Sequence, residues 1–161
     1  MNIYIEIEVL KRELHGKLLL ALELVKRNYT IYLTSRENLN YLALNQKITP
    51  GILFLKDMNS QKYRIDDYKK FVNNNFILVS QDEEIGCFNN NDFNEFFQGR
   101  FKGEKSEAFN YIDKYFCFGD FDFNYLKKFN FHTKFIKTGS PRIDFCGLDI
   151  EKKREKKKQL K

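Results

Sequence analysis

Tryptophan is absent from the 161 residues, and proline and histidine each occur only twice. The three cysteines, Cys87, Cys117 and Cys146, form no C-x-x-C pair, so with two histidines the usual structural zinc spacing is excluded and no metal is expected. An odd, scattered set of cysteines fits reduced thiols and a cytoplasmic setting. No run approaches eighteen consecutive apolar residues, and residues 1–6 carry no basic segment followed by an apolar one. The expectation is therefore at most peripheral contact with the inner membrane face. The glycine-rich G-x-G-x-x-G fingerprint is also missing, which argues against a nicotinamide or flavin site.

What the chain does have is aromatic and charged residues. Seventeen Phe and nine Tyr in a sequence that is 42% hydrophobic supply enough apolar surface for one globular core, and 161 residues suit a single domain. Sixteen Asn and the many Lys match an AT-biased coding sequence, so part of the polar surface reflects codon supply. The net charge of +6 is concentrated at one end. Of 28 Lys and Arg and 22 Asp and Glu, seven and two fall in residues 151–161, leaving a body of 21 basic and 20 acidic groups. A nearly neutral body implies no phosphate-neutralising surface, and hence no nucleic-acid partner. The basic tail reads as a solvated helix end or the start of a linker, with weak attraction for an anionic membrane surface.

Hydrophobic periodicity alternates between two and 3.6 along the chain. Ile3, Ile5, Ile7 and Val9 predict a first strand. Leu14, Leu18, Leu22 and Val25, with Leu19, Ala21 and Leu24, predict the buried face of a helix that leaves Lys17, Glu23, Lys26 and Arg27 to solvent. Strands follow at residues 29–34, 52–55, 76–80, 114–118 and 134–137. Helices are expected at 39–44, 65–72, 92–97, 104–112 and 121–128. Such alternation predicts an α/β fold, a doubly wound and mostly parallel sheet.

Ligands of such sheets sit beyond the carboxyl ends of the strands, so the loops there hold the candidate site residues. After the first strand, Glu8, Arg12 and Lys17 lie near a helix start, where cations and free N–H groups can hold an anion, or where the charges are simply solvated. After the fourth, Asp82, Glu83 and Glu84 follow the most apolar strand; Glu83 first and Glu84 second are the candidate catalytic carboxylates, with Asp82 as a cap. Arg100 beside Gly99 suits a bidentate grip on an anion, or an ion pair with Glu95 or Glu104. Gly119 allows a turn between a strand and a helix that Asp120 or Asp122 can cap. Gly139, Pro141, Arg142 and Asp144 form a fixed-direction turn after the last strand, with Arg142 and Asp144 able to pair. Cys87 has no activator nearby, and His15 reads as a surface or capping residue. Asp57, following the third strand, raises the further alternative of a phosphorylatable receiver domain.

Several of these segments, I-Y-I-E-I-E, R-E-L followed by K-L-L-L-A-L, S-Q-D-E-E, the Arg100-Phe101 step and T-G-S-P-R-I-D, together resemble bacterial proteins of surface carbohydrate biosynthesis. That family is related to two-domain GT-B glycosyltransferases. The resemblance covers about residues 1–147 and implies a Rossmann-like amino-terminal, acceptor-side domain, with residues 148–161 as the start of an interdomain linker. It implies a role in surface polysaccharide synthesis, a glycan acceptor, and a nucleotide-activated sugar held mainly by a second, carboxyl-terminal domain. Because only seventeen residues follow Asp144, that second domain is expected to be a separate partner or lost, and this chain alone to be incomplete for catalysis. In GT-B enzymes the corresponding segment borders the interdomain cleft, so the resemblance implies that Arg142 faces substrate. The competing expectation is a non-catalytic Rossmann-like module that binds a glycan or a protein.

Overall fold

The computed structural model describes residues 1–83 and 90–147. Six parallel strands form one sheet in the order β2-β1-β3-β4-β5-β6. The strands are β1 (Asn2–Glu6), β2 (Thr30–Thr34), β3 (Ile52–Leu55), β4 (Ile77–Ser80), β5 (Lys114–Cys117) and β6 (Lys134–Lys137). The helices are α1 (Leu10–Val25), α2 (Arg36–Leu44), α3 (Lys62–Asn73), α4 (Asn90–Phe101) and α5 (Asp120–Leu126). Residues 141–147 are helical as well. This is a doubly wound, Rossmann-like α/β fold, and the chain reverses direction across the sheet between β1 and β3.

Parallel sheets bury both faces, so their central strands cannot alternate between apolar and polar in the way a half-exposed strand does. In β1, Ile3 and Ile5 face α1 while Tyr4 packs on the opposite side, and all three are buried. The larger core lies between the sheet and α2 to α5. There Leu39, Ile65, Tyr68, Phe71, Phe97, Phe101, Phe109 and Tyr115 are almost fully enclosed. Phe97 stacks on Phe129, and Phe109 stacks on Phe131. These offset and edge-on ring pairs let the abundant Phe fill space where tryptophan is lacking.

Three expectations need correction. β1 ends at Glu6 and α1 already begins at Leu10, so Arg12 lies within the helix. Residues 104–112 form no α-helix; they carry two 3₁₀ turns, Gly103–Lys105 and Glu107–Asn110, the short form adopted where a segment cannot sustain longer hydrogen bonding. The inward face of α1 is also rotated from the one expected. Glu13, Gly16, Lys17 and Ala21 are buried, whereas Leu18, Leu22 and Val25 are exposed. The inward positions were disguised by charge: Lys17 is only 2% exposed, placing its ammonium 4.5 Å from the centre of the Phe54 ring.

The segment after β6 packs back onto α1. Gly139 has φ 78°, the left-handed region that favours glycine. Pro141 opens the 141–147 helix, a position where its missing N–H is no loss, and the Asp144 N–H donates to the Ser140 carbonyl at 3.1 Å. Phe145 stacks on His15, which is exposed on its other side, with centroids 4.7 Å apart. A Cβ built on Gly16 would meet Arg142 Cα and N at 2.9 Å, so this contact exists because residue 16 has no side chain.

Candidate functional site

At the carboxyl ends of β1, β3 and β4 the fold collects twelve charged side chains of the described residues, ten of them joined by ion pairs and Lys17 with Glu83 as a neighbouring pair. β1 ends in Glu6, and Glu8 follows it; β3 is followed by Lys56 and Asp57; β4 leads to Asp82 and Glu83. Helices contribute Arg12, Glu13 and Lys17 from α1, Arg36 from α2, Arg64 from α3 and Arg100 from α4. Among these twelve described side chains six acids face six bases, the balance that burial of so many charges favours.

Asp57 is the hub. Its carboxylate accepts from Arg64 Nη2 at 3.1 Å and Arg100 Nη2 at 2.9 Å, and Arg36 Nη2 lies 3.0 Å away as an ion-pair partner. Burial alone would raise its pKa, but the three guanidiniums together hold it below the usual carboxylate range. Burial would likewise lower the pKa of Arg36, and Glu6, Asp57 and Glu8 raise it instead. Glu6 takes a short bond from Arg36 Nε, and its other oxygen accepts the Lys56 N–H at 2.9 Å. Arg100 also reaches Asp82 at 3.1 Å, closing the hub against the β4 end.

A second limb joins α1 to the loops. Lys56 binds Glu8 and lies 3.6 Å from Glu13. Glu13 accepts the Glu8 N–H at 2.9 Å and pairs with Arg12 at 3.1 Å. Burial would raise the Glu13 pKa, yet these donors and the Lys56 charge lower it. Lys17 Nζ meets Glu83 Oε1 at 2.8 Å, with both side chains buried. The second Glu83 oxygen, Oε2, is buried and has no hydrogen-bond partner among the described residues. Arg142 Nη1 donates to the Glu83 carbonyl at 3.4 Å, and Gln81 Nε2 donates to the Gly139 carbonyl at 2.5 Å. The turn after β6 is thereby tied to the loop after β4.

Of the residues singled out in the sequence, Glu8, Arg12, Lys17, Glu83, Arg100 and Arg142 meet around this network, although α1, β4, α4 and the segment after β6 are remote in sequence. Glu84 and Cys87 lie outside the described residues. Arg100 pairs with Asp57 and Asp82; among the described residues no pair with the expected Glu95 occurs, and the side chain of Glu104, the other expected partner, lies outside what is described. Asp82 is itself an ion-pair partner, and Arg142 turns to the Glu83 backbone; no Arg142–Asp144 ion pair occurs among the described residues. Asp122 caps α5 by accepting the Phe118 N–H at 2.7 Å and the Gly119 N–H at 2.9 Å. Gly119 has extended backbone and open space where a Cβ would sit, so that turn does not require glycine. Asp144 stays exposed.

Glu6, Arg36 and Arg64 were missed. Glu6 alternates with the apolar residues of the first strand, and Arg36 and Arg64 fall just outside the helices expected at 39–44 and 65–72. The available signal was position: Glu6 and the Lys56-Asp57 pair immediately end or follow apolar runs, where polar groups are either solvated or brought together.

Beside the network, on the α1 face, runs a cavity of about 490 Å³. Ile3, Leu20, Ile52, Phe54, Val79 and Phe116 make its floor apolar, while Gln81, Arg27, Lys114 and Asp144 add polar groups to its lining. Among the described residues, no group of three or more His, Cys, Asp and Glu side chains is arranged to hold a metal, and no helix is long and apolar enough to cross a membrane. Compared with protein-family models, with curated proteins and with solved structures, the chain finds no match in any of the three.

Proposed function

We propose that this chain is the amino-terminal, acceptor-side domain of a glycosyltransferase-like protein acting in bacterial surface polysaccharide synthesis. The supporting observation is the convergence of Glu8, Arg12, Lys17, Glu83, Arg100 and Arg142 at the carboxyl ends of β1, β3 and β4, where open parallel sheets take their ligands. Glu83 is the carboxylate we assign to meet a sugar hydroxyl, which requires the loop after β4 to open, because its side chain is only 5% exposed. One of its oxygens is fixed by Lys17, and the other has no donor among the described residues. A carboxylate so placed can accept a hydroxyl proton or stabilise oxocarbenium charge. The nucleotide-activated donor would be held mainly by a second domain, and no metal is assigned a role.

The test is transfer from a nucleotide sugar to a surface-glycan acceptor by this chain reconstituted with a donor-binding Rossmann-type domain encoded beside it. Glu83→Gln is compared with wild type at equal folded fraction. Loss of transfer in the folded variant supports the reading. Wild-type levels of transfer remove Glu83 from it, and absence of both transfer and glycan contacts in saturation-transfer NMR overturns it.

A second reading has its own support. Among the described residues the network is balanced in charge and mostly closed upon itself, which suits a non-catalytic module whose charges lock the loops in place for binding a glycan or protein. In that case glycan contacts appear by NMR and transfer does not. A receiver-domain reading gains little, because the carboxylate of Asp57 is buried under three arginines. An acyl-phosphate donor that modified Asp57 would revive it.

A further inference from the structure

We propose that the open edge of β2 and the outward apolar stripe of α1 form a two-fold interface with a second copy of this chain, the axis passing beside Tyr32. This goes beyond the reading of the charged site and does not depend on it.

The first observation is the edge itself. β2 ends the sheet, with β1 on one side and no strand on the other among the described residues. The Thr30 N–H donates to the Met1 carbonyl, and the Thr34 carbonyl accepts from the Ile7 N–H. Residues 30, 32 and 34 thus turn their main-chain groups toward β1. Since those groups alternate along a strand, Ile31 and Leu33 direct theirs outward. The two edges of the sheet also differ. β6 carries exposed Lys134 and Lys137 at its ends, the usual means by which an edge is kept from pairing. β2, Thr-Ile-Tyr-Leu-Thr, has neither charge nor proline. An unprotected edge of this kind pairs or is covered.

The second observation is the stripe on α1 that the periodicity had assigned to the core. Leu18, Leu22 and Val25, at i, i+4 and i+7, are 39%, 60% and 53% exposed. At 3.6 residues per turn they project from the side opposite Gly16. Gly16 abuts Arg142, and Leu20 and Leu24 line the cavity over β3 to β5, so the stripe leans the other way, toward the β2 edge. Ile31 packs in the core cluster beneath α1, and Leu33, two residues on, shares its side of the sheet. Helix stripe and strand edge therefore make one continuous apolar border.

A second copy fits this border better than an unrelated strand because the geometry closes on itself. With two β2 edges antiparallel and Tyr32 opposite Tyr32 of the second copy, Ile31 stands opposite Leu33 of the second copy, and the reverse. These are the residues whose N–H and C=O groups point outward, so both pairs exchange their hydrogen bonds. The same axis, perpendicular to the sheet, leaves both α1 helices on one face with stripe against stripe. Such an interface is isologous and self-limiting, joining two six-stranded sheets into one.

The experiment is sedimentation of the full chain over a micromolar range, with Leu33→Lys and Leu22→Glu as exposed substitutions that leave the core intact. Covalent trapping accompanies it, using Tyr32→Cys in a Cys146→Ser background. At a non-hydrogen-bonded antiparallel pair the Cα atoms lie about 4.5 Å apart, within the roughly 4.4–6.8 Å that a disulfide spans. The expected results are a dimer, a dissociation constant raised roughly tenfold or more by either charged substitution, and a covalent dimer from Tyr32→Cys but not from Thr30→Cys. A monomer at every concentration with no trapped dimer overturns the proposal. So does a dimer that Leu33→Lys leaves unchanged and Tyr32→Cys fails to trap. Occupation of this edge by a different polypeptide, with the free chain monomeric, overturns it as well.

Discussion

Lys17 of α1 and Glu83 just beyond β4 meet at 2.8 Å with both side chains buried, tying the first helix to the loop that carries the candidate carboxylates. Breaking one member of a buried pair leaves the other charged and uncompensated, which typically costs about 3–5 kcal/mol. Glu83→Gln is expected to lower the urea midpoint accordingly. Lys17→Met combined with Glu83→Leu should recover most of the loss, because an apolar pair leaves no charge stranded. A double variant no more stable than the single ones would show that the pair does more than neutralise itself.

Asp57 supports an acid-sensitivity prediction. Its pKa is held down in the folded state by Arg36, Arg64 and Arg100 acting against burial. The resulting stabilisation is fully present above the unfolded carboxyl value of about 3.9 and is lost as pH falls through the lower, folded value. Wild-type stability should therefore fall below about pH 4. Asp57→Asn should be less stable at neutral pH and show a shallower decline in that acid range. Chemical denaturation across pH 2 to 7 checks both. Equal slopes would assign the acid sensitivity to other groups, Glu13 first.

Cys117 and Cys146 should differ sharply in reactivity. Cys117 is buried, and burial, followed by the nearby Asp122 charge, pushes its thiol pKa well up. Cys146 is exposed. Because the thiolate is the reactive form, alkylation of the native protein near pH 8 should mark Cys146 and spare Cys117 until the protein unfolds. Peptide mapping by mass spectrometry reads the difference, and rapid native labelling of Cys117 would mean that the β5 region opens readily.

Gly16→Ala should destabilise the protein despite improving helix propensity by about 1 kcal/mol. Its Cβ would fall 2.9 Å from the Arg142 backbone, so either α1 or the turn after β6 must move. Loss of the Arg142 bond to the Glu83 carbonyl should accompany the change. Thermal melts and amide exchange at residues 139–144 test this; a more stable variant would show that the segment can shift freely.

The alternation of apolar periods was sufficient to place the six strands of the sheet and most of the helices between them, the segment 104–112 excepted, because each element carries its own local pattern. The pattern was silent about direction. On α1 the regular stripe Leu18, Leu22 and Val25 looked like the core, yet the helix buries Lys17 and Glu13. Periodicity records which residues share a face, and a face satisfied by ion pairs has no apolar signature.

The candidate site divides in the same manner. Glu8, Arg12, Lys17, Glu83, Arg100 and Arg142 were legible as charges near strand ends. Glu6, Arg36 and Arg64 were not, because their meaning lies in a partner on another strand or helix. The amino-acid sequence by itself determined the parallel α/β fold, because each strand and most helices carry their own local period. Only the tertiary structure decided which acid meets which base, which face of α1 is buried and which sheet edge stays open. Those outcomes depend on the strand order β2-β1-β3-β4, which brings residues far apart in the chain within a hydrogen bond's length.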